Sequence, residues 1–296
     1  MLNPTTVDRY LARLGLPRPA APDLAALRAL HRAHVERIPY ETVDVWRGTP
    51  TLIEPAAAVE RIVNGRGGYC YHLNGAFAAL LGSLGYRVEL HRGAIQSRRD
   101  AGPRGATGDH MVLTVHCEGR HWYVDVGLGD GPSEPLPLPH PDAAPAERSV
   151  THRQGPFSYR LRPSDAVPGG WRLDHDDRAC SAGLDFDPRP VTTGDFLPNH
   201  RRLSTSPDSL FTQVPLAIRR TPDSYRALIG LVLTEQDAEE RTTRELTSEH
   251  EWFAALADRF DLPLPELGPA ERSRLWSELH TAHLAWRATQ QQPAGA

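Results

Sequence analysis

Cys70 is the strongest candidate nucleophile in this chain of 296 residues. It follows a glycine-rich stretch at residues 64–68, and an apolar repeat with helical spacing begins directly after it. A thiol in the first turn of a helix lies near partial positive charge and free backbone N–H groups, which stabilise a thiolate and could bind an oxyanion. Gly67 and Gly68 would let a substrate approach the backbone closely. The simpler alternative is a small buried thiol with no chemical role.

A predicted hairpin supplies a base and a carboxylate. Apolar and polar residues alternate after position 110, which is typical of antiparallel strands. If Glu118 and Gly119 form a two-residue turn, Val112 lies opposite Asp125. His110 then lies two positions along on the same face, at the diagonal backbone spacing of about 7 to 8 Å. A carboxylate there would orient the imidazole and stabilise its charged form, as a nucleophilic Cys-His-Asp site requires.

The hairpin also permits two other arrangements. A turn one residue later would place Asp125 opposite Thr114, out of reach of His110. His116 shares the face of His110. Tyr123 likewise shares the face of Asp125, so the hairpin could hold a buried polar network that performs no catalysis. The strand register decides between these possibilities, and the sequence specifies that register only weakly.

The composition excludes several other chemistries. All 33 basic residues are Arg, so a Schiff-base lysine and a phosphate-loop lysine are both impossible. The net charge of -4 provides no overall attraction to nucleic acid or anionic lipid. His31 and His34 lack an apparent third ligand, and three widely spaced cysteines favour neither a metal site nor disulfides. With no membrane-spanning stretch or secretory signal, we expect a cytoplasmic protein without membrane or nucleic-acid partners.

The periodicity of apolar residues divides the chain into regions. The first 85 residues carry helical spacing, and from residue 86 the period changes to two. The last hundred residues combine an apolar run with predicted helices near 249–260 and 271–286. A tail over residues 290–296 is expected to be disordered.

Five segments together closely resemble the arylamine N-acetyltransferases. They occur in the family's order between about residue 5 and residue 215, which makes the resemblance specific, and the final 80 residues match only loosely. The segments are Leu27 to Glu41, Arg66-Gly67-Gly68-Tyr69-Cys70-Tyr71-His72-Leu73-Asn74-Gly75, Asp109-His110-Met111, Tyr123-Val124-Asp125-Val126-Gly127-Leu128-Gly129 and Leu203-Ser204-Thr205-Ser206-Pro207-Asp208-Ser209-Leu210-Phe211.

The resemblance implies an α+β fold of three parts. A helical domain over residues 1–85 would carry the nucleophile, and an antiparallel β-barrel-like domain over residues 86–200 would carry the histidine and the aspartate. An α/β lid over residues 201–296 would complete a papain-like arrangement of cysteine transferase type.

The resemblance also implies an activity and its site. An acetyl or other acyl group would pass from a CoA thioester such as acetyl-CoA to Cys70, and then to an arylamine, hydrazine or hydroxylamine, in a ping-pong reaction. His110 would carry the proton and Asp125 would complete the triad, with no metal involved. The residues expected near CoA or acceptor are Tyr40, Gly127, Leu128, Gly129, Arg202, Leu203, Ser204 and Thr205.

Five positions in three parts of the chain depart from the family pattern. His72 stands where Glu or Gln is usual, and Leu128 stands where Phe is frequent. Arg201, Arg202 and Leu203 stand where bulky aromatic residues are common. Fewer aromatic walls and two guanidinium groups would favour an anionic acceptor such as an aminobenzoate. The alternative, that both arginines face solvent, is equally open.

Three rival functions share these residues. The resemblance covers the ansamycin amide synthases, in which the cysteine takes a polyketide from an acyl carrier protein and an internal arylamine releases it as a macrolactam. A Cys-His-Asp site that admits water would instead be a thioesterase or amidase. A binding protein with an inactive site is the third rival, and the presence of all three triad residue types on separate elements argues against it.

Overall fold

A computed structural model describes residues 1–97, 102–140 and 143–291. Polar caps set the start of the first helices: the Asn3 side chain accepts the Thr6 N–H, and the Asp23 side chain accepts the Ala26 N–H. The helices are α1 Pro4–Leu14, α2 Leu24–Arg37, α3 Val43–Trp46, α4 Pro55–Val63, α5 Cys70–Ser83, α6 Leu197–Thr205, α7 Leu210–Gln213, α8 Glu249–Phe260 and α9 Pro269–Gln291.

Two antiparallel sheets form the rest of the described structure. The strands are β1 Tyr40–Glu41, β2 Arg87–Gln96, β3 His110–Cys117, β4 Arg120–Val124, β5 Leu136–Pro137, β6 Val150–Gln154, β7 Phe157–Pro163, β8 Trp171–Asp174, β9 Gly183–Val191, β10 Leu216–Arg220, β11 Tyr225–Ile229, β12 Val232–Gln236 and β13 Arg241–Glu245. The larger sheet has eight strands in the order β5-β4-β3-β2-β9-β8-β7-β6 and curves into a nearly closed barrel. The predicted fold class is therefore confirmed.

The smaller sheet joins the two ends of the chain. Its order is β1-β10-β11-β12-β13, so a strand from the helical first part pairs with strands from the last hundred residues. Tyr40 lies opposite Ile218 in this pairing, and α8 packs against β10. Because β1 crosses the boundary that the resemblance implies, the lid is attached to the helical part by backbone hydrogen bonds as well as by packing. The domain limits at residues 85 and 200 remain predictions.

Helix α5 packs on the outer face of the barrel, and this contact places the candidate nucleophile. Leu73 and Phe77 of α5 share one apolar core with Met111 and Leu113 of β3. The opposite face of β3 points into the barrel, where Val112 packs in a second core. The alternation predicted for this strand therefore separates two cores, and it brings the start of α5 next to the start of β3.

The end of the chain differs in part from expectation. Helix α9 continues to Gln291, so the prediction of disorder is wrong for residues 290 and 291, while residues 292–296 lie outside the described residues. None of the described helices is long and apolar enough to cross a membrane.

Candidate active site

Cys70 is the first residue of α5 and is 3% exposed. The preceding Tyr69 provides no side-chain cap, so the backbone N–H groups of the first turn keep the partial positive charge that a helix end offers. The sulfur lies 3.9 Å from the carbonyl oxygen of Asp109, the residue before β3. The predicted location of the thiol at a helix N-terminus is therefore what the structure shows.

The two glycines before Cys70 serve packing, and this differs from the expectation that they leave room for a substrate. A Cβ at Gly67 would lie 2.0 Å from the carbonyl oxygen of Pro39. A Cβ at Gly68 would lie 2.6 Å from the Cβ of His72. The space beside both residues is already filled by protein atoms, because the chain leading into α5 runs close against its neighbours.

The β3–β4 hairpin has the predicted register. Glu118 and Gly119 form the turn with φ of 51° and 73°, which is the left-handed conformation that two-residue hairpin turns require. Leu113 pairs with Val124, and the same register continued by one position puts Val112 opposite Asp125. Of the two registers that the sequence left open, the structure has the one with the two-residue turn at Glu118 and Gly119.

His110 lies between the thiol and the carboxylate. Its Nε2 is 2.7 Å from Asp125 Oδ2, which leaves Nδ1 as the ring nitrogen for a second partner. Cys70 is close enough to this histidine to contribute to the rise in the pKa of His110. His110 and Asp125 are 2% and 1% exposed, so water competes little for either contact. The structure thus brings the three predicted triad residues together.

Asp125 also receives hydrogen bonds from Tyr123 and Asn74, which the sequence did not assign to the site, and from Gly127, which was expected near the substrate. Tyr123 Oη donates to Oδ2 at 2.8 Å. Asn74 Nδ2 and the Gly127 N–H donate to Oδ1 at 2.8 and 2.9 Å. Asn74 lies four residues after Cys70 on one helix face, and that spacing was the available signal. Tyr123, considered earlier as part of a non-catalytic network, belongs to the same cluster as the triad.

The cluster shifts both ionisable partners toward their charged forms. Burial alone would lower the pKa of His110, but the charge and hydrogen bond of Asp125 outweigh it and raise the pKa to about 10. Burial alone would raise the pKa of Asp125, but the imidazolium and the donated hydrogen bonds lower it. At neutral pH the pair is therefore an imidazolium facing a carboxylate.

Aromatic side chains surround Cys70. Burial, followed by the charge of a Cys70 thiolate, raises the pKa of Tyr40, Tyr69 and Tyr71, so all three hydroxyl groups stay protonated. Phe211 lies 5.1 Å from Tyr69 and 6.4 Å from Tyr40, measured between ring centres. These rings come from β1, from the start of α5 and the residue before it, and from α7, so the expectation of few aromatic walls applies to residues 201–203 alone.

The turn of residues 127–131 brings two of the predicted binding residues to the site. A Cβ at Gly127 would lie 2.8 Å from Cys70 Cα, so this turn packs directly on the nucleophile. Gly129 lies against Tyr40 and Ile218. Leu128 differs, because its side chain is 9% exposed and packs in the core inside the barrel.

The predicted binding residues of α6 are divided between the interior and the surface. Ser204 is buried and its hydroxyl lies 3.5 Å from the Arg201 carbonyl oxygen, while Leu203 packs against the helical core. Arg202 is exposed, and its charge opposes the rise in the pKa of Tyr71. Thr205 is exposed, and its hydroxyl group donates to a carbonyl of its own helix at 2.8 Å.

Three histidines near the site have structural contacts. His72 is 1% exposed, and its Nε2 lies 3.0 Å from the Thr51 hydroxyl. His34 Nε2 lies 2.8 Å from the Tyr10 hydroxyl, and His31 Nδ1 lies 3.0 Å from a backbone carbonyl. Burial lowers the pKa of all three, so they are neutral. Within residues 1–97, 102–140 and 143–291, no group of three or more His, Cys, Asp or Glu could hold a metal ion.

Comparison with known proteins identifies a family model and solved structures that are similar to most of this chain. A family described as N-acetyltransferase matches residues 23–267. The solved arylamine N-acetyltransferase of Nocardia farcinica is 33% identical, with a TM-score of 0.79 and coverage of 93% of this chain and 95% of that chain. The Mycobacterium marinum arylamine N-acetyltransferase in complex with CoA is 28% identical, with a TM-score of 0.80 and coverage of 93% and 99%.

One similar protein is named as a synthase, and its similarity covers a smaller part of this chain. The proansamycin X synthase of Amycolatopsis mediterranei is 35% identical over 141 residues, which are 46% of this chain and 53% of that protein. The family match, by contrast, spans most of the chain and includes every residue of the Cys-His-Asp cluster. The chain is therefore a member of the arylamine N-acetyltransferase family of enzymes.

Proposed function

We propose that the protein transfers an acyl group from a CoA thioester, through Cys70, to an arylamine, hydrazine or hydroxylamine. The observation that carries this proposal is the convergence of three side chains: the Cys70 sulfur lies 3.9 Å from the carbonyl oxygen of Asp109, the residue before His110, and His110 Nε2 lies 2.7 Å from Asp125. A cysteine with a base and an orienting carboxylate has the parts that covalent acyl transfer needs.

The first half-reaction loads the enzyme. The thiolate form of Cys70 is the nucleophile, and His110 holds the proton that the thiol gives up. The thiolate attacks the thioester carbonyl carbon, and the N–H groups of the first turn of α5 are the candidate donors to the oxyanion. The carbon–sulfur bond to CoA then breaks, and the imidazolium gives its proton to the departing CoA thiolate. The products are acyl-Cys70 and free CoA.

The second half-reaction unloads the enzyme. The acceptor nitrogen attacks the acyl carbon, and neutral His110 takes the proton that this nitrogen loses. The bond from the acyl carbon to the Cys70 sulfur breaks, and the sulfur leaves as a thiolate. The amide is released, and the thiolate–imidazolium pair is restored. Each half-reaction needs only the proton that His110 carries.

The choice of acyl donor is supported by a structural relative. The Mycobacterium marinum enzyme has been solved in complex with CoA, and it covers 93% of this chain. We extend this binding to the present chain, with acetyl-CoA as co-substrate and the turn of residues 127–131 as one wall of the donor site, because that turn packs on Cys70.

Steady-state kinetics with acetyl-CoA and an arylamine test the proposal. Acetylated arylamine should form with parallel double-reciprocal plots, and Cys70→Ala should abolish product. Cys117→Ala is the matched control, because Cys117 is buried to nearly the same extent, at 4% exposure, and its sulfur lies 3.7 Å from the Pro22 carbonyl oxygen. Intersecting plots, or product from Cys70→Ala, would contradict a cysteine acyl-enzyme.

Macrolactam formation is a second candidate, favoured by the 35% identity to proansamycin X synthase. An acyl chain with a terminal arylamine, presented as an N-acetylcysteamine thioester in place of a carrier-protein thioester, distinguishes the two functions. Cyclisation of this probe without turnover of acetyl-CoA would favour the amide synthase. Acetylation of its amine, with no ring formed, would favour intermolecular acetyl transfer.

A further inference from the structure

Arg220 is fully buried, at 1% exposure, yet it has no carboxylate partner in the part of the chain that the structure describes. It is the last residue of β10, in the sheet of the lid. An isolated buried guanidinium is costly unless other groups satisfy its donors. Its partners therefore show what holds it in this position.

The guanidinium is used mainly to hold one turn. Its Nη1 donates to the carbonyl oxygen of Gly131 and, at 3.3 Å, to that of Asp130. Nη1 also contacts Tyr159 Oη, and this hydroxyl lies 3.1 Å from the same Gly131 oxygen. The guanidinium lies over the ring of Phe157 at 5.0 Å. Its remaining nitrogens donate to carbonyl groups just beyond β10 at 3.0 and 3.4 Å.

The other end of the same turn contacts the triad. The Gly127 N–H donates to Asp125 at 2.9 Å, and a Cβ at Gly127 would lie 2.8 Å from Cys70 Cα. In the middle, Gly129 has φ of 79° and lies so close to Ile218 of β10 that a Cβ would be 2.9 Å from the Ile218 Cβ. The five residues of the turn therefore connect the nucleophile to the lid strand that ends at Arg220.

We propose that Arg220 is a positioning residue that fixes the far end of the turn of residues 127–131 against β10. In this way it would hold in place the turn that lines the path of an acyl donor to Cys70. The role rests on the proposed acyl transfer. Arginine suits it because a planar guanidinium donates several hydrogen bonds in fixed directions, whereas a lysine ammonium is a compact point charge. Without Arg220, two buried carbonyl groups at the end of the turn would lose their charged donor.

The test compares Arg220→Lys and Arg220→Met with Tyr159→Phe and a matched control. Arg172→Met is that control, because Arg172 is 5% exposed but pairs with Asp185 at 2.9 Å inside the barrel, away from the turn. Three quantities are measured: the KM for acetyl-CoA in the acylation half-reaction, the rate of Cys70 alkylation by iodoacetamide, and the midpoint of thermal unfolding.

The KM for acetyl-CoA should change while the thiol stays reactive. Arg220→Lys should raise this KM about tenfold, the scale expected when a charged hydrogen bond is lost, and Arg220→Met should raise it further. Alkylation should stay within about twofold of the wild type, because iodoacetamide needs only the Cys70–His110 pair. Arg172→Met should lower the unfolding midpoint and leave the KM unchanged.

Four results would overturn the role of Arg220. They are a wild-type KM in folded Arg220→Lys, an equal KM increase in Arg172→Met, a fall in alkylation that matches the fall in acylation, and a wild-type KM in Tyr159→Phe. Tyr159→Phe, expected to raise the KM severalfold, and Arg220→Lys decide the matter if Arg220→Met does not fold. A wild-type enzyme that never forms acyl-Cys70 would instead refute the proposed function itself.

Discussion

Two buried clusters of charge flank the start of α5, and they differ in the partners of their carboxylates. Asp125 faces the imidazole of His110, which in turn faces the thiol of Cys70. On the other side, Glu41 is fully buried and pairs with Arg61 and Arg66. Guanidinium groups do not give up protons near neutral pH, whereas an imidazole does. Asp125 is thus connected to a thiol through a titratable partner, whereas Glu41 is paired only with groups that keep their charge.

The second cluster has a structural role that can be seen in its contacts. Arg61 Nε donates to the Gly67 carbonyl at 2.6 Å, and Arg61 Nη1 lies 2.5 Å from Asp44. Arg66 reaches Glu266, which precedes α9, at 2.9 Å. These pairs hold the segment that leads into α5 and join it to the last hundred residues. Substitutions in this cluster should therefore lower stability alone, whereas substitutions in the Asp125 cluster should also lower the rate of acylation.

Asp125→Asn should give the largest effect on rate. The amide keeps the shape of the side chain but removes the charge that orients and stabilises the imidazolium, so acylation by acetyl-CoA should fall by about 10³ to 10⁴. The unfolding midpoint should also fall, because the imidazolium of His110 loses its buried counter-charge, but the protein should stay folded. Rapid-quench mass spectrometry of the acyl-enzyme measures the rate. A loss of less than tenfold would show that Asp125 is not the orienting group.

Glu41→Gln should lower stability without lowering the rate of acylation. Removing this charge leaves Arg61 and Arg66 under-compensated in a buried site, which should lower the free energy of unfolding by about 3 to 5 kcal/mol. The fraction that stays folded should acylate at close to the wild-type rate. Urea denaturation and acylation measured on one preparation test both parts, and a rate loss as large as that of Asp125→Asn would remove the distinction between the clusters.

The pH dependence of stability should report the His110–Asp125 pair. The raised pKa of His110 contributes stability that is complete below its unfolded value of about 6.5 and is lost as the pH rises through its folded value of about 10. In Asp125→Asn the folded pKa of His110 falls, so less stability should be lost across this window. Chemical denaturation at both ends of the window measures the difference between the two proteins. Identical slopes would mean that the pair does not titrate as described.

The smallest predicted effect concerns the acceptor. Arg202 is exposed but close enough to Tyr71 to lower the pKa of that residue. Its charge should therefore attract an anionic acceptor at the site only weakly. Arg202→Ala should lower kcat/KM for an aminobenzoate by about two- to fivefold, the range of an exposed ion pair, and leave an uncharged aniline unaffected. Equal effects on both acceptors would remove the case for an anionic substrate.

The sequence predicted the parts of the site that depend on local rules. Alternation predicted the two strands, and a turn at Glu118-Gly119 was one of two registers that the sequence allowed; this register places His110 and Asp125 on one face. The position of Cys70 in the first turn of a helix followed from the glycine-rich stretch before it and the apolar repeat after it. These inferences needed only residues that are close in sequence or paired across one hairpin.

The parts of the fold and of the site that the sequence did not predict depend on contacts between segments that are distant in the chain. Arg220 meets the turn of residues 127–131 across about ninety positions of chain, and no local pattern marks it as different from other strand-end arginines. The pairing of β1 with β10 is equally remote, since a strand of two residues carries no periodicity. The roles of Gly67 and Gly68 were misjudged for the same reason, because Pro39 and His72 fill the space that the sequence suggested was open.

The central claim is that Cys70, and neither of the other two cysteines, forms the acyl-enzyme. The most direct test is peptide mapping of the protein after brief exposure to acetyl-CoA, with and without an arylamine. We predict a single acetyl group on the peptide that contains Cys70, discharged when the amine is added. Acetylation of the Cys117 or Cys180 peptide instead, or turnover of both substrates with no acetyl group on any cysteine, would contradict the account.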